Sequence, residues 1–388
     1  MDWVKEYRSL FPAVNRCVYM DTAYDCGGSE IGKKAAMRYF DDWANAAVEN
    51  QRGGPGRKVF FDTLDETRQM IGTLLGGVEP CQIAFTRNTN EGINAILQGF
   101  DFSPADNIVT DAIEHVSVLM PCLNAKKLKG VEVRIAGDSD TVDVSPAMLM
   151  EQCDQNTRMI LVSHVQSATG SLIDLETLGE FCKEKGIYLI VDAIQSLGQI
   201  PFDAVRWNVS AVSAAGYKGL GAVESTGFVY VAPELMRRIW PVYTAANFFI
   251  SVVRDEGAPD LRCSDDTKAR KLENSSPDNL GVYILHDALE KLLQIGIDRI
   301  WAHIDPLYQK LHQGLCELGY RVLTSAEKGA HGASMAIEVS DPQELFAFFR
   351  ERNIALSAGR YIRLSLGAYS TEEDVEAVLS AAKDCPIR

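Results

Sequence analysis

Between residues 80 and 232, short apolar runs alternate with stretches whose apolar positions recur every three to four residues. The runs are QIAFT, NIVTD, VEVRIA, RMILVSH, IYLIVDA, VSAVSAA and GFVYVA. They lack the strict apolar–polar alternation of a strand with one wet face, so they predict strands covered on both sides. LETLGEFCKEKG, between two of them, predicts an amphipathic helix closed by Gly186. Strands joined by helices imply an α/β fold with a mainly parallel sheet and helices on both faces. In such sheets the ligand site lies at the carboxyl ends of the strands.

Beyond about residue 260 the pattern changes. GVYILHDALEKLLQIGIDRIWAHIDPLYQKLHQGLCELG reads as one long helical stretch. It leads into YRVLT, ASMAIEVS, a helix PQELFAFFRERN, then IALS, YIRLSL and a closing helix TEEDVEAVLSAAK. Short strands interleaved with two helices predict a small α+β domain beside the larger one. The expected division is a large domain over residues 15–255 and a small one over 256–388, with the N-terminal segment 1–14 joining the latter. The polar join VVRDEGAPDLRCSDDTKARK predicts a loop placed to cover a site.

A chain of 388 residues has room for more than one domain. Its 46% hydrophobic and 23% charged residues set aside disordered and fibrous classes. The formal charge of −15 argues against nucleic acid or an anionic membrane as partner, since both demand clustered Lys and Arg. No run approaches about 18 apolar residues, and MDWVKEYRSLFP lacks the basic-then-apolar order of a signal peptide, so a cytoplasmic location is expected. The 9 cysteines are scattered, without CxxC pairs or zinc-like Cys/His spacing; they read as reduced thiols, and no metal is expected.

The candidate chemistry sits where the strands end. SAAGYKGLGA places Lys218 among small residues straight after an apolar run. A buried ammonium is costly unless it is paired or used chemically; a lysine with its head in water at a strand-to-loop junction is the plain alternative. Asp192 ends IYLIVDA, Gln195 follows three residues on, and TRNTNEGIN follows QIAF. An Asp, a Gln and a Lys at neighbouring strand ends suit a ligand with a basic ring nitrogen, a phenolic oxygen and an aldehyde, which describes pyridoxal 5'-phosphate (PLP). Asp192 would keep the ring nitrogen protonated, and Lys218 would form the Schiff base and then move the substrate α-proton. Gln195 would donate to the phenolic oxygen, or else be a polar residue at a helix start. Thr89 and Asn90 would meet the phosphate at a helix N-terminus, or else belong to an ordinary N-cap. His115 would stack on the ring or serve as a structural residue, while His164 has no assigned task. Arg363, inside the apolar strand YIRLSL, needs an anion: the α-carboxylate of a substrate, or a structural Asp or Glu.

From VYMDTAY to IRLSLGAYSTEEDV, the order and spacing of these motifs resemble the class V aminotransferases of PLP fold type I. That group includes cysteine desulfurases, selenocysteine lyases, isopenicillin-N-epimerase-like proteins and C–S lyases. The resemblance implies a large PLP-binding domain with a small C-terminal α+β domain, and an enzyme acting on a small amino acid. It implies Lys218 as the Schiff-base lysine, Asp192 at the ring nitrogen, Gln195 near the phenolic oxygen, His115 in EHVS stacking on the ring, Thr89 at the phosphate and Arg363 at the substrate carboxylate. It also implies that the loop ENSSPDN reaches the phosphate of the neighbouring subunit, which puts Ser275 and Ser276 at the interface of a homodimer with shared active sites.

The departures matter as much. Gly216-Tyr217-Lys218 stands where Ser-His-Lys is common, which puts Tyr217 in the place of a phosphate-site histidine. Ser167 stands where an asparagine often touches the phenolic oxygen. IALSAGRYIRLSL has no cysteine, although desulfurases carry a nucleophilic one shortly before the arginine. Transamination, racemisation and β-elimination are left, with an aminotransferase-type reaction expected ahead of C–S lyase or epimerase chemistry. Arg52 and Arg57 in NQRGGPGRK, and Tyr243 and Asn247 in PVYTAANFFI, either face substrate or sit in solvated loops. Two other classes stand against this one. A Rossmann oxidoreductase would use GLGAVESTG, which lacks the third glycine of GxGxxG. A non-catalytic protein of the same fold has no use for Lys218, Asp192 and Arg363 together.

Overall fold

The apolar runs become strands. In chain order these are β1 (Val18–Tyr19), β2 (Ile83–Thr86), β3 (Asn107–Asp111), β4 (Glu132–Ala136), β5 (Thr157–Ser163), β6 (Tyr188–Asp192), β7 (Ala211–Ala215), β8 (Gly227–Val231), β9 (Phe249–Asp255), β10 (Ala258–Cys263), β11 (Arg321–Val322), β12 (Ser334–Glu338), β13 (Ile354–Ala355), β14 (Ser357–Ala358) and β15 (Ile362–Ser365). They are seen in a computed structural model that describes residues 2–138, 140–243, 249–255, 258–263 and 268–387.

Seven strands form the central sheet in the order β2-β8-β7-β6-β5-β3-β4. The pairs β3–β4, β3–β5, β5–β6 and β6–β7 are parallel, whereas β7–β8 and β8–β2 are antiparallel. Alternate residues feed two separate cores. Val109, Ile160, Val162, Leu189 and Val191 join one, while Ile108, Met159, Leu161 and Ile190 join the other. Both faces are therefore dry along β3, β5 and β6, which is why those runs show no polar alternation; the run that becomes the edge strand β4 keeps exposed residues. The helix Leu175–Lys185 ends at Gly186, whose φ of 68° is the left-handed C-cap that glycine adopts without strain.

A four-stranded antiparallel sheet, β11-β12-β15-β14, follows in the C-terminal part, and β1 pairs in parallel with β13. The stretch expected as one helix is two, Asn279–Ile295 and Ile297–Glu317, parted at Gly296 with φ 91°. The first packs on the helices Glu30–Gln51 and Lys58–Leu74. The polar join expected as a loop contains the antiparallel pair β9–β10. The β-branched residues Ile250, Val252 and Val253 of β9 favour extended backbone, a preference that the surrounding charged residues mask. Among the described residues no helix is long and apolar enough to cross a membrane.

Candidate active site

Three parallel strands end side by side with polar residues in register. Ser163 of β5 is opposite Asp192 of β6, which is opposite Ser213 of β7. Three residues past β7 the chain turns through Lys218, the turn being held by Gly216 N–H to Thr226 O and Ala222 N–H to Gly216 O. On the other side of β7, the helix Thr89–Gly99 starts with Asn88 as N-cap, its side chain accepting from Glu91 N–H at 2.9 Å. Gly92 lets that helix lie close to the sheet, since a Cβ there would meet Ser213 Oγ at 2.3 Å. Ser213 Oγ uses the closeness to donate to Thr89 O at 2.9 Å.

These ends enclose a cavity of about 280 Å³, near the lower limit of small-ligand pockets at roughly 300–1,000 Å³. Thr89, Asn90, His115, Ser167, Asp192, Gln195, Tyr217 and Lys218, all expected from the sequence, line it together. Arg363 comes near from β15: its Nη1 donates to Ser167 O at 2.6 Å and to Ser167 Oγ at 3.2 Å. The others fall elsewhere. Ser276 lines a separate cavity with Glu273, Asn274 and Asp278, and Ser275 holds a left-handed φ of 68° beside it. Tyr243 lines a neighbouring cavity of about 770 Å³ and Arg57 another beside Trp43, while Arg52 is the exposed C-cap of the helix Glu30–Gln51. Asn247 lies outside the described residues.

The electrostatics favour a bound cation beside Asp192 and a reactive amine at Lys218. Burial pushes Asp192 up to about 7, with help from Glu114 and against the opposing effects of Ile194 N–H and Lys218. Burial also lowers Lys218, to about 8; Asp192 and Asp21 oppose this and Arg363 adds to it. Its Nζ lies 5.7 Å from the Tyr217 ring centre. His115 caps the helix Val116–Lys129, with Nδ1 accepting from Ser117 N–H at 3.2 Å, so its other nitrogen carries the proton when the ring is neutral. Desolvation, Lys218 and Arg363 hold it in that neutral form. Gln195 Nε2 donates to Ala23 O at 3.0 Å and Ser167 Oγ at 3.3 Å, so donating to a ligand requires one of these to be released. His164 is buried against Phe202 and Trp207 and held neutral by burial, as a core residue would be.

Sequence reasoning passed over Glu114 and Ser163. Glu114 is buried, and its carboxyl accepts from Ser163 Oγ at 2.5 Å, from Ser163 N–H and from Gln166 Nε2 at 3.2 Å. Gln166 also bridges to Asp111 at 3.1 Å. Burial raises both Asp111 and Glu114; the Asp111 charge raises Glu114 further, whereas the hydrogen bond with Glu114 works against the rise at Asp111. Ser163, the polar residue that closes the apolar run in RMILVSH, was a usable signal; nothing in the chain marked Glu114 as more than the neighbour of His115.

The class V aminotransferase model matches residues 33–378. The chain belongs to the class V aminotransferase family. It is accordingly a PLP-dependent enzyme. A probable cysteine desulfurase of Methanothermobacter thermautotrophicus is 25% identical to it over 393 residues, covering 96% of this chain and 95% of its own. The apo cysteine desulfurase of Thermococcus onnurineus NA1 has a TM-score of 0.86 at 20% identity, over 98% of this chain and 97% of that one. The cystine C–S lyase C-DES, solved with its reaction product cysteine persulfide, has a TM-score of 0.84 at 19% identity, over 96% of this chain and 99% of that one. The fold is that of PLP fold type I.

The residues present fit PLP. Thr89 Oγ1 is buried without a hydrogen-bond partner among the described residues, at a helix N-terminus suited to a phosphate oxygen, and a carboxyl and an amine line the same cavity.

Proposed function

We propose that this enzyme is a lyase that removes the sulfur group from a small sulfur-bearing amino acid by β-elimination. One observation carries the reading: a buried Lys218 amine, under the influence of Asp192 and Arg363, faces a cavity with no cysteine in its described lining. The segment from Ile354 to Arg363 has none either. Sulfur therefore leaves in solution rather than as a persulfide on a cysteine of that segment, as the chemistry named for the C–S lyase relative also requires.

When bound, PLP supplies an aldehyde that condenses with amines and a ring that withdraws electrons from the substrate α-carbon. Lys218 would carry it, Asp192 would hold the ring N–H, Thr89 and the amides at the start of the helix Thr89–Gly99 would take the phosphate, and Asn90 would flank it. His115 would lie on the ring face, with Ser167, Gln195 and Tyr217 around its rim. Arg363 would grip the substrate α-carboxylate. Lys218, whose lowered basicity leaves a share of free amine near neutrality, takes the α-proton. The Cβ–S bond then breaks and the sulfur departs with its bonding electrons. With one water consumed, cysteine yields pyruvate, ammonia and hydrogen sulfide, and cystine yields pyruvate, ammonia and cysteine persulfide. Transamination, expected first from the sequence, shares the proton transfer at Lys218 and differs in product, an oxo acid that retains every sulfur atom.

The reading includes a homodimer and the division into residues 15–255 and 256–388 with 1–14. Ser275 and Ser276, set apart from Lys218, suit donation to a partner's phosphate. Exposed Met37, Phe40 and Trp43, and exposed Val116, Met120 and Trp240, form apolar surface suited to a subunit contact. The test is product analysis with L-cysteine and L-cystine. Pyruvate in step with released sulfur supports elimination; a sulfur-retaining oxo acid instead refutes it. Sedimentation measures the oligomer, and a monomer at micromolar concentration refutes the shared site.

A further inference from the structure

Arg363 already has an anion beside it. Asp21, two residues past β1, forms an isolated parallel bridge with Ser365 at the end of β15. Its Oδ1 accepts from Ser357 Oγ at 2.5 Å and lies 3.8 Å from Arg363 Nη2. Ser357 Oγ also accepts from Arg363 Nη2, at 3.3 Å. The two charged side chains keep only 16% and 13% of their surface, so water screens the pair weakly. Yet the pairing is loose: there is no bidentate fork, a serine hydroxyl intervenes, and Arg363 Nε is buried with no hydrogen-bond partner among the described residues.

Resting on the reading of Arg363 as the carboxylate site, we propose that Asp21 is a specificity-determining counter-ion that competes with the substrate carboxylate for Arg363, so that a carboxylate binds together with a proton taken up by Asp21. Two carboxylates around one guanidinium cannot both keep their charge at little cost in so dry a place. The groups acting on Asp21 are Ser357 and Arg363, which favour its charged form, Lys218, which does so from farther off, and Asp25, which opposes it; Tyr19 lies on the same side. Burial outweighs the favourable contacts and holds the carboxyl above the usual aspartate range. A carboxylate arriving at Arg363 draws off the guanidinium that Asp21 depends on, and its own charge raises Asp21 further. Proton uptake and carboxylate binding then favour one another by the same factor. A ligand that brings a second carboxylate close to the first, with no cation of its own beside it, would add a third anion, so the site disfavours such ligands; the distal carboxylate of cystine is paired with its own ammonium across the disulfide.

The test uses holoenzyme and propionate, a monocarboxylate without an amine, followed by calorimetry in two buffers of different ionisation enthalpy. The expected result is proton uptake on binding, with affinity falling as pH rises through the Asp21 value. Asp21→Asn is expected to bind propionate roughly five- to fiftyfold more tightly, without proton uptake and with a flatter pH profile. Ser357→Ala, which removes a bond to the ionised form, is expected to move the profile to higher pH and covers the case in which the Asn variant does not fold. Arg363→Ala is expected to abolish binding. Unchanged affinity and pH profile in Asp21→Asn, or no binding by wild type and Asn variant alike, overturns the proposal. Propionate binding that survives Arg363→Ala overturns the reading of Arg363 itself.

Discussion

At the floor of the cavity, the carboxyls are matched to other protein atoms. Glu114 accepts from Ser163 and Gln166, and Asp192 accepts from Ile194 N–H at 2.9 Å. At the edge the matching stops: Thr89 Oγ1 is buried at the first turn of a helix and has no partner among the described residues. The floor pays in another way, since three carboxyls, Asp111, Glu114 and Asp192, lie close together with pKa values raised by burial. It is built to receive a positive charge, and the edge to receive a negative one. A zwitterionic ligand with a cationic ring and an anionic phosphate would span the two.

Variants at the two ends should therefore fail in different ways. The largest effect is expected between them, at Lys218. Lys218→Ala should lower turnover by about 10²–10⁴ or more and abolish the visible absorption of the bound cofactor, both read on the purified protein. At the floor, Asp192→Asn should lower turnover by about 10²–10³ while stabilising the apoprotein at pH 8. The sign follows from the raised value. Well below 3.8, the ordinary aspartate value, Asp192 holds its proton in folded and unfolded chains alike. As pH rises towards about 7 the unfolded chain releases that proton first, so the cost to the folded state grows and is complete above 7. Melting curves of wild type and variant should approach one another as pH falls well below 3.8 and be fully separated by pH 8.

At the edge, Thr89→Ala should weaken cofactor retention by about ten- to a hundredfold, the loss of one hydrogen bond to a charged group. Apoprotein stability should stay unchanged, because the hydroxyl has no protein partner to lose. Retention is measured by dialysis and readdition of PLP. The smallest effect is expected at Glu114→Gln, which keeps the amide-sized group and removes a charge from the floor. The apoprotein melting temperature should rise by about one or two degrees at pH 8 and not at all near pH 4. A fall at pH 8 would mean that the floor needs its anion.

The same contrast explains what was legible in the chain. The central sheet was readable because both faces are dry and the strands declare themselves by unbroken Val and Ile runs. Lys218, Asp192, Gln195 and Thr89 were readable because a polar residue at the end of such a run has few structural uses. Glu114 was not, since a carboxyl satisfied by Ser163 and Gln166 depends on a neighbouring strand that local pattern does not report. Asp21 was missed for the same reason: its partners Ser357 and Arg363 are more than 300 residues away in sequence. The break at Gly296 was hidden by helical periodicity on both sides of it, and the β9–β10 hairpin by its charged residues.

The central claim is elimination at Lys218 with no persulfide on the protein. The most direct measurement is one incubation of holoenzyme with L-cystine, in which pyruvate and soluble persulfide are quantified and the protein is examined by mass spectrometry for added sulfur. The account predicts pyruvate and soluble persulfide in equal amounts, a chain of unchanged mass, and no product from Lys218→Ala. Sulfur carried on a cysteine of this chain with alanine as the released amino acid would contradict it.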